Sequence, residues 1–532
     1  MTDARSGRED GGRHAMVVAA GILVSRLVGL LRNTVFAHYF GAGVASDAYN
    51  AAFKIPNAMR NLLGEGTLSA AFVPVYSAAL ARGDERGARA LANAVLGLLM
   101  AVVSVLTLAG ILAAPWLTTV LAPGFDMDAR DLTTRLVRIL FPMTAVMVLS
   151  GWCLGIQNSH KRFFWSYASA AFWSIAQIVL LLVWGPRAES AAALAVVLAW
   201  ATLVGAVLQV AGQWPEVRRV FGAVRPSLDR NDAGVRRILG HLVPVLTALG
   251  VVQLSSFVDL QIASYLPVGA TTTMTYANTL ALLPVSLFGV SVAAAALPDL
   301  SRDSSTMAFD VLRERLRAGW QRILFYVVPS AVAFVVVGDY CVGLLYRSGQ
   351  FGAAEQQAVH VTLAAYAVGL VSFGSVKLLG SVHYALQDYR TPLRASLLSI
   401  VVSAAAAASL AYAFRSSPLA VAGIALGSAL GSYANLAVQV RGLRARLGPL
   451  YTRAMWTGTG RIVVAAAAAA LVGWGLRLAQ QAWLPTWHPR LTAWPVLGGF
   501  ALTYLFTAWV LGSREASRWL RLTPRTPGDP AA

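Results

Sequence analysis

The sequence contains 532 residues, of which 57% are hydrophobic and only 13% are charged. The mean hydropathy is +0.61, whereas an ordinary soluble domain has about 25% charged residues. This composition excludes a soluble globular protein. The 43 Lys and Arg against 24 Asp and Glu give a net charge of +19. In a membrane protein such a charge can come from the basic flanks of the spans and does not require nucleic acid as a partner.

Apolar stretches recur from one end of the sequence to the other. A membrane-spanning helix needs about 20 predominantly apolar residues, and windows of that length predict about fourteen spans. They lie near residues 15–40, 48–78, 91–121, 132–157, 164–185, 189–213, 241–266, 270–297, 319–346, 357–386, 391–414, 418–440, 461–482 and 491–512. Every connecting loop is short, and the sequence contains no P-loop, HExxH or GxSxG motif. We therefore expect a membrane protein without a catalytic domain.

The arginine distribution predicts how these spans are oriented. If the N-terminus is cytoplasmic, 30 of the basic residues fall in cytoplasmic segments and seven in outer segments, while the remaining six lie inside spans. Cytoplasmic loops normally carry the excess of Lys and Arg. We therefore expect both termini and the longest loop, residues 214–240, to face the cytoplasm.

The two halves of the sequence share weak similarities. Gln157, after span 4, resembles Gln387, after span 10, at an offset of 230 residues, and Pro56 resembles Pro284 at an offset of 228. A short motif at the outer ends of spans 1 and 7 is offset by 226. Six spans separate the copies, so each copy enters the membrane in the same direction, as in parallel transporter repeats. Chance similarity between membrane helices is the alternative explanation.

The repeat predicts an all-α, polytopic membrane protein of two parallel six-helix lobes plus two extra C-terminal helices. The predicted parts are a cytoplasmic tail at 1–14, the first lobe at 15–213, a cytoplasmic linker at 214–240, the second lobe at 241–440, helices 13 and 14 within 441–512, and a cytoplasmic tail at 513–532.

Charged residues are concentrated in the first two spans. The cations are Arg26, Arg32, Lys54 and Arg60, and the only acids with them are Asp47 at the outer turn and Glu65. A charge at the bilayer centre costs from about 2.5 to more than 10 kcal/mol unless it faces water or a partner. We interpret this excess of cations as a site for a phosphate or diphosphate, to which arginine can donate two hydrogen bonds at once. The alternative is that Arg32 and Lys54 extend to an interface while Arg60 pairs with Glu65.

Span 2 also contains residues that weaken a helix. Pro56 removes a backbone donor, and Gly64 and Gly66 flank Glu65. We expect these three residues to form a hinge in a span that moves. In the second half, Asp259 and Lys377 are the main ionisable residues inside spans. Together with Lys54 they are candidates for a secondary or ion site, or for ordinary interhelical pairs.

The segment from Ser25 to Pro74 resembles the signature of the MurJ (MviN) family of lipid II flippases. Its first part reads SRLVGLLR, and its second part, FGAGVASDAYNAAFKIPNAMRNLLGEGTLSAAFVP, is highly specific. The resemblance continues at Gly349-Gln-Phe351 and from Gln387 to Pro392. It covers essentially the whole chain up to span 14.

The resemblance implies the fold of the multidrug/oligosaccharidyl-lipid/polysaccharide exporter superfamily, with the last two helices forming a groove for a lipid tail. It implies transport of the undecaprenyl-diphosphate-linked disaccharide-pentapeptide across the inner membrane of a bacterium, by alternating access, for cell-wall synthesis. It maps substrate-binding roles onto Arg26, Arg32, Asp47, Arg60 and Glu65. Its partners would be lipid II, membrane lipids and the cell-wall synthesis machinery. No cofactor or metal is implied, and membrane potential or a coupled cation is the candidate energy source.

The sequence departs from the family pattern at two places. Many members have Arg-Asp where this sequence has Arg32-Asn33, and an arginine in span 8 where this sequence has Thr279. A threonine cannot hold a diphosphate electrostatically. This leaves open a flippase for another polyprenyl-linked glycan, of the O-antigen or capsule type, or an amphiphile exporter. A membrane glycosyltransferase or phosphatase would need a catalytic loop, and a scaffold for a cell-wall complex would tolerate loss of the arginines.

Overall fold

A computed structural model describes residues 3–65, 68–230, 233–289, 309–417, 419–483, 489–513 and 515–517. Within these residues the regular structure is helical, and the β-type pairing is limited to an isolated bridge between Ser348 and Phe351. The expectation of an all-α protein is confirmed. The backbone contacts divide the chain into a first unit, Met1–Thr271, and a second unit, Thr272–Ala532.

The first unit contains ten α-helices. They are α1 (Asp3–Phe40), α2 (Val44–Met59), α3 (Val73–Ala81), α4 (Glu85–Leu112), α5 (Ala114–Leu121), α6 (Met127–Ser159), α7 (Phe163–Ala168), α8 (Ala170–Trp184), α9 (Ala191–Phe221) and α10 (Ala233–Ser264). Two π-helical segments, Arg60–Glu65 and Leu68–Phe72, lie between α2 and α3, and a short 3-10 turn, Gly185–Arg187, follows α8.

The remaining described helices belong mainly to the second unit. They are α11 (Ala270–Pro284), α12 (Phe309–Val336), α13 (Gly338–Tyr346), α14 (Ala353–Ala385), α15 (Arg390–Ala413), α16 (Ala420–Leu447), α17 (Arg453–Trp483) and α18 (Pro489–Val510). A π-helical segment, Val285–Gly289, continues α11.

Helical structure is present at all fourteen predicted spans. Ten helices of the described part of the chain are long and apolar enough to cross a membrane. The four predicted spans that are not among these ten helices are spans 1, 2, 7 and 8. Each of them carries charged residues inside the span or a break in its α-helix. Four predicted spans are interrupted in the structure: span 2 becomes α2 and α3, span 3 becomes α4 and α5, span 5 becomes α7 and α8, and span 9 becomes α12 and α13. The last part of span 8, residues 290–297, lies outside the described residues.

In the first unit, α6 occupies the centre. It packs against α9, α2 and α4, while α8 packs against α9 and α1. Its inner positions are filled by side chains such as Leu136, Leu140, Met143 and Trp152, which are almost completely buried. Helix α10, which the sequence divides between the linker and the second lobe, contacts α4, α5 and the π-helical segments of this unit. The linker is therefore largely helical at both ends and irregular only between Gly222 and Arg230 in its described part.

In the second unit, α14 has the corresponding central position. It packs against α16, α12 and α13, and α15 packs along α16. Gly423, Gly427 and Gly431 of α16 face α15, where a Cβ on Gly427 would lie 2.5–2.7 Å from Ala407. These glycines allow the close helix approach that their spacing predicts. The two added helices, α17 and α18, pack against each other and against α12 and α13 respectively.

The internal repeat is visible in the helix bounds. Helices α6 and α14 both contain 33 residues, and their starts (353 minus 127) and ends (385 minus 159) are both 226 residues apart. The turn after each helix has a non-glycine residue with positive φ, Lys161 at 58° and Gln387 at 57°. The offset of 230 taken from the sequence is therefore one helical turn too long. Gln387 corresponds to Lys161, and the residue that corresponds to Gln157 is His383.

Candidate functional site

The turn between α1 and α2 contains the acid that the sequence assigns to the site. The Ser46 hydroxyl accepts a hydrogen bond from the Gly43 amide at 2.8 Å, which closes the first turn of α2. Asp47 follows in this turn, where the positive end of the helix dipole favours a carboxylate. Its side chain is only 5% exposed. Asp47 Oδ2 accepts a hydrogen bond of 2.7 Å from the amide of Gly269, in the turn after α10.

Gly269 is required in this arrangement for two reasons. Its φ is +92°, which side chains rarely adopt, and a Cβ there would lie 2.6 Å from the carbonyl oxygen of Ala42. The two turns, 41–43 and 265–269, therefore approach each other closely, and Asp47 satisfies a backbone amide between them. At this end of the first unit, Asp47 thus connects the α1–α2 hairpin to the turn after α10.

A second contact joins α2 to α10 deeper in the unit. Lys54 Nζ donates a hydrogen bond of 2.9 Å to the carbonyl oxygen of Ser256. The carboxylate of Asp259, one turn later on α10, attracts the Lys54 ammonium electrostatically. Two of the three residues proposed as a secondary or ion site are therefore neighbours. Lys377, the third, belongs to α14 of the second unit, where its side chain is exposed.

Arg32 lies in an aromatic environment that the sequence does not predict. Its guanidinium carbon is 4.7 Å from the ring centre of Trp173. Its Nη2 and Nε donate to Asn33 Oδ1 at 2.8 and 3.2 Å. Cation–π contacts of this kind hold a guanidinium in place while it remains charged. The acceptor of this pair, the Asn33 amide, is neutral.

Trp173 is itself held by the helices around it. Its indole nitrogen donates to the Thr202 carbonyl at 3.2 Å, and the Thr202 hydroxyl contacts the Tyr49 hydroxyl at 2.8 Å. The ring of Phe53 lies between those of Trp173 and Tyr49, and its centroid is 5.7 Å from the Trp173 ring centroid and 6.1 Å from that of Tyr49. Helices α1, α2, α8 and α9 are thereby joined around Arg32. Trp173 lies in a span without charged residues, so its sequence context gives no signal of this role.

The other site residues predicted from the sequence are placed less tightly. Arg26 is exposed on α1. Arg60 begins the first π-helical segment, is half-buried, and its Nη2 lies 3.4 Å from Asn61 Oδ1. The backbone of Glu65 ends the same segment. The structure gives no account of the Glu65 side chain, and Gly66 lies outside the described residues.

The helix of span 2 changes its form after Pro56, while hinge motion there stays a prediction. The α-helix continues through Pro56, which is buried, and ends three residues later at Met59. Within the π-helical segment that follows, Gly64 has non-helical angles, φ −93° and ψ −109°. A Cβ on Gly64 would meet the backbone of α6 at 3.6 Å. The break in span 2 therefore occurs at Gly64, and bending at Pro56 stays a prediction.

The two histidines of α14, His360 and His383, differ in their contacts. His383 is fully buried, and its ring nitrogens lie 3.1 Å from Asp388 Oδ2 and from the Gln439 carbonyl oxygen. This hydrogen-bonded cluster connects the α14–α15 turn to α16. His360 packs against Gly338 at the break between α12 and α13.

The profile of the family described as "Lipid II flippase MurJ" matches residues 36–493. The chain belongs to the MurJ family. This is a family of transporters, so the chain is a membrane flippase and not an enzyme.

Named relatives agree over most of the chain. The chain is 30% identical to the "Probable lipid II flippase MurJ" of Rhizobium meliloti (strain 1021) over 516 residues, which is 96% of this chain and 95% of the relative. It is 31% identical to the "Lipid II flippase MurJ" of Burkholderia cenocepacia over 400 residues, 74% of this chain and 76% of the relative.

Solved structures support the fold. A structure titled "Lipid II flippase MurJ, inward closed conformation" aligns with a TM-score of 0.76 at 19% identity and covers 95% of this chain and 100% of that chain. An inward-facing multidrug transporter of the MATE family aligns with a TM-score of 0.59 at 16% identity, covering 82% of this chain and 98% of that chain. The MurJ fold and its structural likeness to MATE transporters are therefore confirmed.

Proposed function

We propose that this MurJ-family chain moves lipid II, the undecaprenyl-diphosphate-linked peptidoglycan precursor, from the inner to the outer leaflet of the cytoplasmic membrane by alternating access. Membership of the lipid II flippase family is the observation that carries the proposal. The described fold supports it, since long apolar helices account for most of the chain. Lipid II is the cargo, and the energy source is membrane potential or a coupled cation.

We assign head-group recognition to Arg26, Arg32 and Arg60 of the first unit. Two of the contacts of Arg32 are to neutral groups, the Asn33 amide and the Trp173 ring. A diphosphate would accept bidentate hydrogen bonds from such guanidinium groups. Lys54 is directed at Ser256 and Asp259 on α10, and we give it a part in holding α10.

The two contacts between α2 and α10 provide a route from head-group binding to movement. Asp47 and Lys54 lie on α2, which directly precedes the π-helical segment that begins at Arg60. Lys54 contacts α10, and Asp47 contacts the turn that follows α10. Binding of a diphosphate beside α2 would change the electrostatic balance around Lys54 and Asp259. We propose that movement of span 2 at Gly64 then alters these contacts.

The test is complementation. Cells depleted of their own lipid II flippase would express this chain, and lipid II at the outer leaflet would be measured directly. Growth together with restored exposure of lipid II supports the proposal. Growth failure of a membrane-inserted wild-type chain in that assay would argue against lipid II as the cargo.

A second candidate is a flippase for another polyprenyl-linked glycan, of the O-antigen or capsule type. The observation that favours it is Thr279, whose hydroxyl donates to the Thr275 carbonyl of its own helix at 2.8 Å. Where relatives have an arginine, this chain therefore offers a neutral side chain engaged with backbone. Complementation of a strain lacking such a glycan flippase, without complementation of the lipid II strain, would select this alternative.

A further inference from the structure

A polar cavity of about 440 Å³ lies in the second unit, between the start of α12, the start of α17 and the segment after α18. Its volume is within the range of small-molecule sites, about 300–1,000 Å³. The wall carries Arg317, Arg322 and Arg461, together with polar groups such as Gln321 and Thr452. These residues lie far along the sequence from the arginines of the first unit and have no part in the function proposed above.

The charges of the wall are not equivalent. Arg317 is engaged with the protein backbone, because its Nε and Nη2 donate to the carbonyl oxygens of Leu450 and Pro449 at 2.8 and 2.7 Å. The Glu314 carboxylate is 74% exposed and lies 3.4 Å from Arg317. The Glu515 carboxylate accepts a hydrogen bond from Ser513 at 3.3 Å.

Two arginines of the wall have much weaker ties to the protein. Arg461 Nη1 makes one long hydrogen bond, 3.4 Å, to the Gly512 carbonyl oxygen. Arg322 is half-buried, and the described part of the chain gives it neither a hydrogen bond nor an ion pair. The N-terminus of the 31-residue helix α17, which lines the same cavity, adds a partial positive charge. The cavity is therefore suited to an anion.

Aromatic residues of the kind enriched at the depth of lipid head groups lie at this end of α17. The rings of Tyr451 and Trp456 stack at 5.8 Å, and Trp456 is 66% exposed. Tryptophan and tyrosine are enriched at membrane–water interfaces. The arginine distribution predicts that this side faces the cytoplasm, where basic pockets between membrane helices bind lipid head groups.

We propose that this cavity binds the phosphate of a membrane-lipid head group, with Arg322 and Arg461 as the phosphate ligands. Their guanidinium groups donate charge-assisted hydrogen bonds to the phosphate oxygens. The same chemistry is offered by an anionic phospholipid and by the diphosphate of a polyprenyl lipid. The lipid tail would lie outside the cavity against the exposed apolar surface of α17.

The test measures lipid binding to the full-length protein in detergent by native mass spectrometry. The probes are phosphatidylglycerol, undecaprenyl diphosphate and, as a probe without phosphate, diacylglycerol. The variant is Arg322→Gln with Arg461→Gln, and the matched control is Arg453→Gln, an exposed arginine at the first residue of α17 that does not line the cavity. A normal size-exclusion profile and melting temperature establish that each variant is folded.

We expect the double variant to lose affinity for at least one phosphate-bearing probe by about tenfold or more, since each lost bond involves a charged partner. Arg453→Gln and diacylglycerol binding should be unchanged. Replacement of both residues by lysine should restore part of the affinity. If the double variant loses affinity for phosphatidylglycerol alone, the cavity is a phospholipid site. If it loses affinity for undecaprenyl diphosphate alone, the cavity is a site for the polyprenyl lipid. Unchanged affinity for both probes, or an equal loss in Arg453→Gln, would overturn the proposal.

Discussion

Arg32 and Thr279 differ in what each side chain can offer to the diphosphate of the proposed cargo. Arg32 is positioned by a ring and an amide, whereas the Thr279 hydroxyl is directed to its own helix. A hydrogen bond to a charged group contributes about 1.5–3 kcal/mol. Loss of one arginine should therefore reduce diphosphate affinity by about one to two orders of magnitude, and loss of the Thr279 hydroxyl should have little effect.

The corresponding prediction concerns four alanine variants. Arg26→Ala, Arg32→Ala and Arg60→Ala should each abolish complementation while the protein still reaches the membrane, and Thr279→Ala should complement almost normally. Arg32→Lys should rescue only partly, because lysine lacks the planar fork. Lipid II exposure and membrane abundance are measured for each variant. Normal complementation by all three arginine variants would favour a scaffold role instead.

Asp388 gives a prediction about pH. Burial raises the pKa of this carboxyl, but hydrogen bonds from Thr391 and His383 and the charge of Arg446 outweigh burial and lower the pKa from 3.8 to about 2. Because the folded state favours the carboxylate, its contribution to stability is complete above the ordinary pKa and is lost as the pH falls towards the folded value.

Asp388→Asn should therefore lower the melting temperature of the detergent-solubilised protein at neutral pH. The difference from the wild type should shrink as the pH falls from about 3.8 to about 2. Thermal unfolding of the wild type and the variant across this pH range measures the difference in melting temperature. A difference that is constant with pH would mean that Asp388 acts through shape and not through its charge.

Among the elements, the helices could be predicted and their interruptions could not. Windows of apolar residues located all fourteen helical places, because the bilayer requires a fixed length of apolar helix. The glycine at position 64 indicates the break there. The sequence does not indicate the continuous helix through Pro56, because packing around a buried proline compensates for its one missing donor. The neighbourhood of Arg32 depends on Trp173, which is distant in sequence, and no local pattern encodes such a contact.

Gly427 allows a direct test of helix packing. A Cβ at this position would lie 2.5–2.7 Å from Ala407 of α15, so Gly427→Ala should force α15 and α16 apart. Gly460 of α17 has no atom within 4 Å of its Cβ position, so Gly460→Ala is the matched control. Alanine is the better helix former by about 1 kcal/mol.

We therefore expect Gly460→Ala to leave the melting temperature unchanged or raise it, and Gly427→Ala to lower it. The measurement is thermal unfolding of both variants in the same detergent. Equal effects of the two substitutions would show that close approach at Gly427 contributes nothing to stability.

At the scale of the whole chain, the repeat explains why the first unit carries most of the predicted site. Gln157 and His383 lie at corresponding positions 226 residues apart, and each contacts the backbone carbonyl of a corresponding glutamine, Gln213 or Gln439. The structural contacts at the loop ends are thus retained in both copies. The intramembrane arginines are not retained, since the residues 226 positions after Arg26, Arg32 and Arg60 are Val252, Val258 and Ser286. The two halves therefore share helix bounds and loop-end contacts but differ in their intramembrane charges.

The orientation of the chain is the final prediction, and it follows from the distribution of charge. With a cytoplasmic N-terminus, 30 basic residues fall in cytoplasmic segments and seven in outer segments, which the positive-inside rule favours strongly. Cys153 and Cys341 are both free thiols, so both are first replaced. A cysteine introduced as Gly43→Cys, in the outer turn, should then react with an impermeant thiol reagent in intact cells.

A cysteine introduced as Arg230→Cys, in the linker, should react only after the membrane is permeabilised. Both positions are accessible enough for labelling, because Gly43 is half-buried and Arg230 is exposed. The comparison of intact and permeabilised cells distinguishes a cysteine that is buried in the protein from a cysteine that lies on the cytoplasmic side of the membrane. Labelling at position 230 but not at 43 in intact cells would reverse the orientation, and it would move the cavity of α12 and α17 to the outer face with it.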